Sequence, residues 1–220
     1  MKHKTTFIIV LLIGMILFGM NSLGVAYNHQ TVDSYLSYRI KYIHNIAYNT
    51  KANLSKKRAR EYAESILYWS DYYSRELEVD IDPLVLTAII EAETNFVSKN
   101  SYDNGASIGV SSMRKSTAKW IAKRLGVEYS KWRMLDATDL GIRFTAYYLG
   151  LAYRNYDSDL HKVIVSYNQG YHKAAEKDVD QFYNNYLFKV LGRYNYYQKR
   201  LKYYGPNGEE FFNYKLAQLN

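Results

Sequence analysis

The stretch Ile81-Asp82-Pro83-Leu84-Val85-Leu86-Thr87-Ala88-Ile89-Ile90-Glu91-Ala92-Glu93-Thr94-Asn95-Phe96 decides the fold of this chain. It predicts a short helix, because Asp82 is a natural N-cap and Pro83 suits the first helical position. Each residue turns a helix by about 100°, so Glu93 is predicted on the apolar face and Glu91 on the more polar one. The apolar neighbours of Glu93 in this projection are Leu86, Ile89, Ile90 and Phe96. The helix is therefore expected to carry one carboxyl group into an apolar environment.

An apolar environment gives Glu93 two alternative roles. Burial disfavours the charged form of a carboxyl group and raises its pKa. A carboxyl group that stays protonated near neutral pH can act as a general acid. The structural alternative is that Glu93 caps the edge of the core or pairs with a lysine or arginine. The helix alone leaves both interpretations open.

Five segments, which follow one another along the chain, resemble one enzyme family. Glu93-Thr94-Asn95-Phe96 is similar to the Glu-Ser-x-Phe motif of the lytic transglycosylases of the soluble (SLT) type, lysozyme-like relatives of goose-type lysozyme. Residues 106–112 loosely match the Gly-Ala-x-Gly-Leu-Met-Gln loop of that family, and 166–170 resemble its Ala-Tyr-Asn-x-Gly motif. Residues 186–190 look like its Tyr-Val-x-x-Val motif, and 136–149 like its helix that ends in Tyr-Leu. The resemblance covers about residues 62–200.

The resemblance implies a function and a set of site residues. It implies cleavage of the β-1,4 bond between N-acetylmuramic acid and N-acetylglucosamine in peptidoglycan, with 1,6-anhydromuramic ends. Glu93 would act first as acid and then as base on the C6 hydroxyl, so that no second carboxylate is required. Substrate contacts would come from the side chains of Thr94, Ser112, Tyr167, Asn168 and Tyr186. For Tyr167 and Asn168 the sequence also permits a helix end with a C-capping Asn and Gly170 in a left-handed turn.

Two departures from the family pattern keep other functions open. The Leu-Met-Gln of the family loop is replaced by Val110-Ser111-Ser112, which removes an amide that can both donate and accept. This replacement is compatible with a non-catalytic peptidoglycan-binding scaffold in a wall-spanning machine whose other partners are unknown. Asp103, in the polar loop, could instead serve a lysozyme-type hydrolase, which usually needs a second carboxylate about 5–10 Å from the acid.

The N-terminus is typical of an export signal. Lys2 and Lys4 precede an apolar run of 14 residues, Phe7–Met20, and Gly24-Val25-Ala26 offers a cleavage site. The apolar run could also extend to Tyr27 and act as an uncleaved membrane anchor through residues 7–26. In both cases the lysines orient the remainder outward, so an extracytoplasmic location at the cell envelope is expected.

Composition excludes several classes of site. The chain of 220 residues has no Cys and therefore no disulfide, and its five histidines show no metal-ligand spacing. No metal and no cofactor is expected. The net charge of +8 favours an anionic polymer. Cell wall fits that description better than nucleic acid does, because an exported chain rarely meets nucleic acid.

The chain is divided into a signal or anchor at 1–26, a stalk at 27–60, a lysozyme-like domain at 61–203 and a C-terminal tail at 204–220. The fold class is mainly α, with a small β-hairpin expected near 97–113. Ser55 is expected to cap a solvated, basic helix start, and Gly126 to end a helix. The predicted helices are 33–48, 59–77, 83–96, 116–125, 139–153, 159–167, 172–178 and 184–203.

Overall fold

The computed structural model describes residues 29–48, 53–176 and 185–203. The proposed signal or anchor at 1–26 and the proposed tail at 204–220 lie outside these residues. The helices are α1 (His29–Tyr48), α2 (Lys56–Leu77), α3 (Pro83–Thr94), α4 (Lys115–Leu125), α5 (Lys131–Leu135), α6 (Ile142–Asn155), α7 (Leu160–Gln169), α8 (Tyr171–Ala175) and α9 (Asn185–Tyr203). One π-turn, Ala137–Gly141, leads into α6, and a 3₁₀ turn, Asp103–Gly105, lies in the hairpin region.

Helix α3 forms the centre of the domain. The Asp82 carboxylate accepts a hydrogen bond from the Leu84 backbone N–H at 2.7 Å, and Pro83 occupies the first helical position, as predicted. The helix ends at Asn95, whose φ of 52° is left-handed. Every residue from 84 to 92 is buried, so α3 is surrounded by other elements rather than lying on the surface with one apolar face.

A small antiparallel sheet follows α3, where the hairpin was expected. Its strands are β1 (Lys99–Tyr102), β2 (Ser107–Gly109) and β3 (Met113–Arg114), in the order β1-β2-β3. The register pairs Tyr102 with Ser107 and Ile108 with Met113. Gly109 has a φ of 83°, and a Cβ there would lie 2.7 Å from the Met134 carbonyl oxygen. Only glycine fits this position without a shift of the backbone.

Helix α1 lies in the segment that the sequence assigned to a stalk. Its apolar side chains are buried in the same core as those of α2 and α3, among them Val32, Tyr35, Leu36 and Ile40. Leu36 and Ile40 are completely buried. This helix therefore packs against the domain, which differs from the expected stalk. The helical spacing of these residues was visible in the sequence, but their packing partner was not.

The remaining helix ends follow local rules. Ser55 caps α2 by accepting a hydrogen bond from the Arg58 backbone N–H, and Asp159 caps α7 in the same way through His161. Gly126, with a φ of 63°, ends α4. These ends agree with the predicted ones to within a few residues. Within 29–48, 53–176 and 185–203, no helix combines the length and the apolar character that crossing a bilayer requires.

Candidate active site

The two glutamates of α3 differ in burial, and the sequence predicts the environment of Glu93 but not that of Glu91. Glu91 is 4% exposed, whereas Glu93 is only partly buried. The predicted assignment of Glu91 to a polar face was therefore wrong. The projection considered only neighbours on α3, and the face that carries Glu91 is covered by α1 and α9.

The neighbours of Glu91 supply opposite charge. Arg39 on α1 lies 3.2 Å from its Oε1 atom, and Arg193 on α9 lies 3.1 Å from the same oxygen. The Tyr197 hydroxyl donates to the other carboxylate oxygen. A buried carboxylate is tolerated when it is paired and hydrogen-bonded in this way. Glu91 therefore ties α1, α3 and α9 together and leaves no free carboxylate oxygen for other chemistry.

Glu93 has a different environment at the end of α3. Burial raises the pKa of Glu93 above its ordinary value. A hydrogen bond from the Tyr186 hydroxyl and the charge of Lys189 act in the opposite direction, whereas the nearby Asp103 carboxylate raises the pKa further. The carboxyl group is therefore protonated more readily than a free glutamate, yet it lies beside a hydroxyl donor and a positive charge that stabilise the anion.

Helix α9 brings the Tyr186 hydroxyl and the Lys189 ammonium group close to Glu93. Tyr186 and Lys189 lie on the same face of α9 as Arg193 and Tyr197, because the four are spaced by three or four residues. The Lys189 ammonium group donates to the carbonyl oxygen of Ala92 in the last turn of α3. Burial and the charge of Glu93 raise the pKa of Tyr186 well above its ordinary value, so its hydroxyl remains a donor. Tyr186 was predicted beside Glu93; Lys189 was not, although its spacing from Tyr186 was a usable signal.

The loop of residues 110–112 is held by three helices, one of which carries Glu93 next to the contact residue Thr94. Thr94 on α3 donates to the Val110 carbonyl oxygen. The Thr145 and Ser111 hydroxyls share a hydrogen bond of 2.7 Å, and the Tyr167 hydroxyl donates to the Ser111 carbonyl oxygen at 3.0 Å. Thr94 was predicted to bind substrate, but it is 8% exposed and its hydroxyl is engaged with the loop. The hydroxyl is therefore used within the fold, and its role toward substrate stays a prediction.

The other predicted site residues are Ser112 in this loop, and Tyr167 and Asn168 at the end of α7. Ser112 is partly exposed, with a φ of 50°, and its backbone N–H donates to the Gly109 carbonyl oxygen at 3.2 Å. Burial, and next the charge of Glu93, raise the pKa of Tyr167, so the tyrosine is neutral and near the carboxyl group. Asn168 is exposed at the end of α7, which stops before Gly170 with its φ of 85°. The helix-end interpretation and the site interpretation are thus compatible.

The structure brings Glu93, Tyr186, Tyr167, Lys189 and Asp103 into one electrostatic neighbourhood. Asp103 is exposed and accepts a hydrogen bond from Ser107 at 2.9 Å. Across the parts of the chain that the structure describes, no three His, Asp or Glu side chains converge as metal ligands would. The arrangement can therefore donate a proton from Glu93 and then stabilise the resulting carboxylate.

Comparisons with known proteins give a match to one family over half of the chain. The sequence model of the family described as "Transglycosylase SLT domain" matches residues 73–186, which include Glu93, Thr94, Ser112, Tyr167, Asn168 and Tyr186. No curated protein sequence matches the chain significantly.

One similar solved structure is that of an inactive glutamate-to-glutamine mutant of the lytic transglycosylase Slt from Pseudomonas aeruginosa. The TM-score is 0.53 with 18% sequence identity, over 77% of this chain and 30% of that chain. At this identity the likeness shows the fold, which is mainly α and lysozyme-like. The chain corresponds to less than a third of that protein's length.

Proposed function

The chain belongs to the transglycosylase SLT domain family, and we propose on that premise that it is a peptidoglycan lytic transglycosylase with Glu93 as its acid and base. It would cleave the β-1,4 bond between N-acetylmuramic acid and N-acetylglucosamine. The product would carry a 1,6-anhydromuramic end. No cofactor or metal takes part in this proposal.

The observation that carries the proposal is the environment of Glu93. Burial favours its protonated form, and the Tyr186 hydroxyl together with the Lys189 charge favours the anion. A general acid needs both properties, because it must hold a proton at rest and release it to the leaving oxygen. Glu91 has neither the exposure nor the free oxygens for this role.

The proposed reaction uses one carboxyl group twice. Glu93 donates its proton to the oxygen of the departing N-acetylglucosamine as the C1–O bond breaks. The resulting carboxylate, stabilised by Tyr186 and Lys189, then removes the proton of the C6 hydroxyl of the muramic acid. The C6 oxygen bonds to C1 and closes the anhydro ring, and Glu93 is protonated again. No water is consumed.

Residues 110–112, Tyr167 and Asn168 are the proposed substrate wall. Ser112 and Asn168 expose polar side chains, and Tyr167 is partly exposed above the loop. An exposed amide can both donate to and accept from an N-acetyl group. The buried Thr94 contributes by fixing the Val110 carbonyl oxygen, so it is a positioning residue in this proposal rather than a ligand.

The proposed location is outside the cytoplasm, where peptidoglycan is found. Residues 1–26 remain our proposed export signal or membrane anchor. The sequence charge of +8 suits an anionic wall. Peptidoglycan strands are the proposed partner, and nucleic acid is not.

A lysozyme-type hydrolase is the second candidate, and one observation favours it. The Asp103 carboxylate is exposed and close enough to raise the pKa of Glu93. A hydrolase of this kind uses a second carboxylate as a base for water or as a nucleophile. The two candidates differ in product: hydrolysis leaves a reducing end, and ring closure leaves an anhydro end.

Digestion of purified peptidoglycan by the wild-type chain and by Glu93→Gln tests the proposal. Soluble products would be identified by mass spectrometry. Products lighter than reducing muropeptides by one water, from wild type only, are expected. Products with reducing ends would favour the hydrolase. The variant Asp103→Asn would then be tested in the same digestion. Binding to peptidoglycan without any product would favour the scaffold that the altered loop of residues 110–112 suggests.

A further inference from the structure

Six side chains on three helices form a continuous cluster that does not include Glu93; its outer members reach the surface and its two central rings are buried. We call it the aromatic–arginine ladder, and its members are Trp69 and Tyr73 on α2, Trp120 and Arg124 on α4, and Arg143 and Tyr147 on α6. The rings of Tyr73 and Tyr147 join its two halves, with centroids 5.1 Å apart. None of these residues takes part in the proposed reaction.

Each half of the ladder holds one arginine in the same way. The Arg143 guanidinium carbon lies 4.7 Å from the Trp69 ring centroid, and its Nε donates to the Tyr73 hydroxyl at 3.1 Å. In the other half, Arg124 lies 5.1 Å from the Trp120 centroid and donates to the Tyr147 hydroxyl at 3.2 Å. Stacking and hydrogen bonding fix both guanidinium planes before any ligand arrives.

The charge of these two arginines is not neutralised by a carboxylate. Within the described ranges, salt bridges engage other arginines, namely Arg39, Arg58, Arg75, Arg133 and Arg193. No carboxylate there lies within salt-bridge distance of Arg124 or Arg143. Their hydroxyl partners are neutral, so both guanidinium groups keep a full positive charge and unfilled donor positions.

Aromatic rings are exposed at the edges of the ladder. Trp120 is 41% exposed, and Tyr68, whose ring contacts Trp69 at 4.8 Å, is 55% exposed. Tyr72 stacks on Tyr68 at 6.1 Å and extends the same surface. Apolar area of this kind, flanked by fixed cations, is typical of a binding surface rather than of a solubilising one.

The ladder lies on a different side of the molecule from the loop of residues 110–112. On α6, Thr145 points to that loop, and Arg143 and Tyr147 are each two residues, about 200°, away from it. The ladder is thus not part of the site described above.

We propose that the aromatic–arginine ladder is a second glycan-binding surface, which holds a carboxylate-bearing peptidoglycan strand outside the segment that Glu93 cleaves. This inference rests on the proposed function. Aromatic rings pack against the C–H faces of sugars, and guanidinium groups bind carboxylates through two parallel hydrogen bonds. The peptide carboxylates on such a strand provide the matching charge. The ladder would keep the enzyme on an insoluble polymer between cuts.

Co-sedimentation with insoluble peptidoglycan tests the inference, with the purified full-length chain in a Glu93→Gln background to prevent digestion. The double variant Arg124→Gln/Arg143→Gln should bind roughly tenfold more weakly, because it loses two sets of charge-assisted hydrogen bonds. Lys56→Gln/Arg60→Gln is the matched control, since it removes the same charge from exposed positions on the opposite face of α2 from Trp69. Its affinity should change less than about twofold.

A second variant, Tyr68→Ala/Trp120→Ala, removes exposed rings without opening the core and should also weaken binding. Unfolding midpoints of all variants would verify that they are folded. Equal binding by ladder and control variants would overturn the inference, as would complete displacement of the protein by polyglutamate, which carries charge but no sugar.

The ladder and the proposed function can fail separately. With Glu93 intact, ladder variants should cleave a short soluble glycan at the wild-type rate and digest insoluble peptidoglycan more slowly. A wild-type chain that releases no product while ladder-dependent binding persists would refute the proposed function and retain the ladder. Normal product release with unchanged binding by the ladder variants would refute only the ladder.

Discussion

Glu91 and Glu93 are two residues apart on one helix, and their surroundings give them opposite roles. Glu91 is closed in by two arginines and a tyrosine from α1 and α9, and three groups contact its two oxygens. Glu93 is less buried, has one neutral donor and one exposed lysine nearby, and has a raised pKa. Burial alone therefore does not identify a general acid. The two residues differ in the number of cations close to the carboxyl group: two arginines at Glu91 and one lysine at Glu93.

The two glutamates also differ in which part of the chain supports them. Arg39, Arg193 and Tyr197 lie outside residues 73–186, the segment matched by the family sequence model, whereas Tyr167 and Tyr186 lie inside it. The contacts of Glu91 hold the outer helices on the domain. The contacts of Glu93 belong to the family segment itself. Substitutions at the two positions should therefore separate stability from turnover.

Glu93→Gln should produce the largest effect on turnover. General acid catalysis contributes about 10²–10⁴-fold, and this residue is proposed to act in both steps, so product release should fall by at least roughly 10³-fold. The fold should persist, because Gln keeps the shape and the acceptor for Tyr186. Muropeptide release and an unfolding curve on the same preparation measure both. Residual turnover within tenfold of wild type would remove Glu93 from the role of acid.

Glu91→Gln should produce the largest effect on stability. The substitution leaves two partly buried guanidinium groups without their buried carboxylate, and breaking a fully buried pair costs up to about 3–5 kcal/mol. The melting temperature should fall by roughly 10 °C for a chain of this size. Denaturant unfolding of Glu91→Gln and Glu93→Gln in parallel is the test, with each variant serving as control for the other. Equal stability of the two would contradict the contrast between them.

The sequence predicted the helical fold more fully than it predicted the site. The N-cap Asp82, Pro83 and the terminating Gly126 act locally, so α3 and the end of α4 could be read from neighbouring residues. The environment of Glu91 could not, because its partners Arg39 and Arg193 are far from it along the chain. A projection of one helix does not show which other helices cover each of its faces.

The same limit explains the assignments of α1 and Thr94. The apolar spacing in α1 indicated a helix, but a stalk helix and a docked helix share that pattern until the partner surface is known. Thr94 matched a motif position, and its hydroxyl is used by the Val110 carbonyl oxygen across a gap of 16 residues. Motif order located Glu93 and Tyr186 correctly together, because the family resemblance already contained the tertiary contact.

Tyr186→Phe tests the contrast between Glu91 and Glu93 by removing the neutral hydrogen-bond donor at Glu93. The hydrogen bond lowers the pKa of Glu93, so its loss should raise that pKa further. Activity that needs protonated Glu93 falls as pH rises through this pKa, so the alkaline limb of the rate profile should move to higher pH. The maximal rate should drop about tenfold, as expected for a hydrogen bond to a charged group. An unshifted profile would place Tyr186 in a packing role.

Lys189→Gln should act in the same direction with a smaller effect. Its charge lowers the pKa of Glu93, but the side chain is exposed and solvent screens the interaction. The alkaline limb should again move upward, and less so at high salt. Lys199→Gln, an exposed position on another face of α9, is the matched control and should leave the profile unchanged. A salt-independent shift would indicate displacement of the Ala92 carbonyl contact rather than loss of charge.

The smallest expected effect is the pH dependence of stability at Glu93. Its folded-state pKa is raised above the unfolded value, so its stabilising contribution is complete below the unfolded pKa and is lost as pH rises through the folded pKa. In the Glu93→Gln variant the side chain at this position does not titrate. Relative to the variant, the wild-type chain should therefore lose stability as pH rises through that window, from about pH 4 upward. Unfolding free energies of the two proteins across this range measure the difference. A wild-type chain that instead gains stability relative to the variant as pH rises would mean that the pKa of Glu93 is lowered on folding, which would remove the basis for its role as acid.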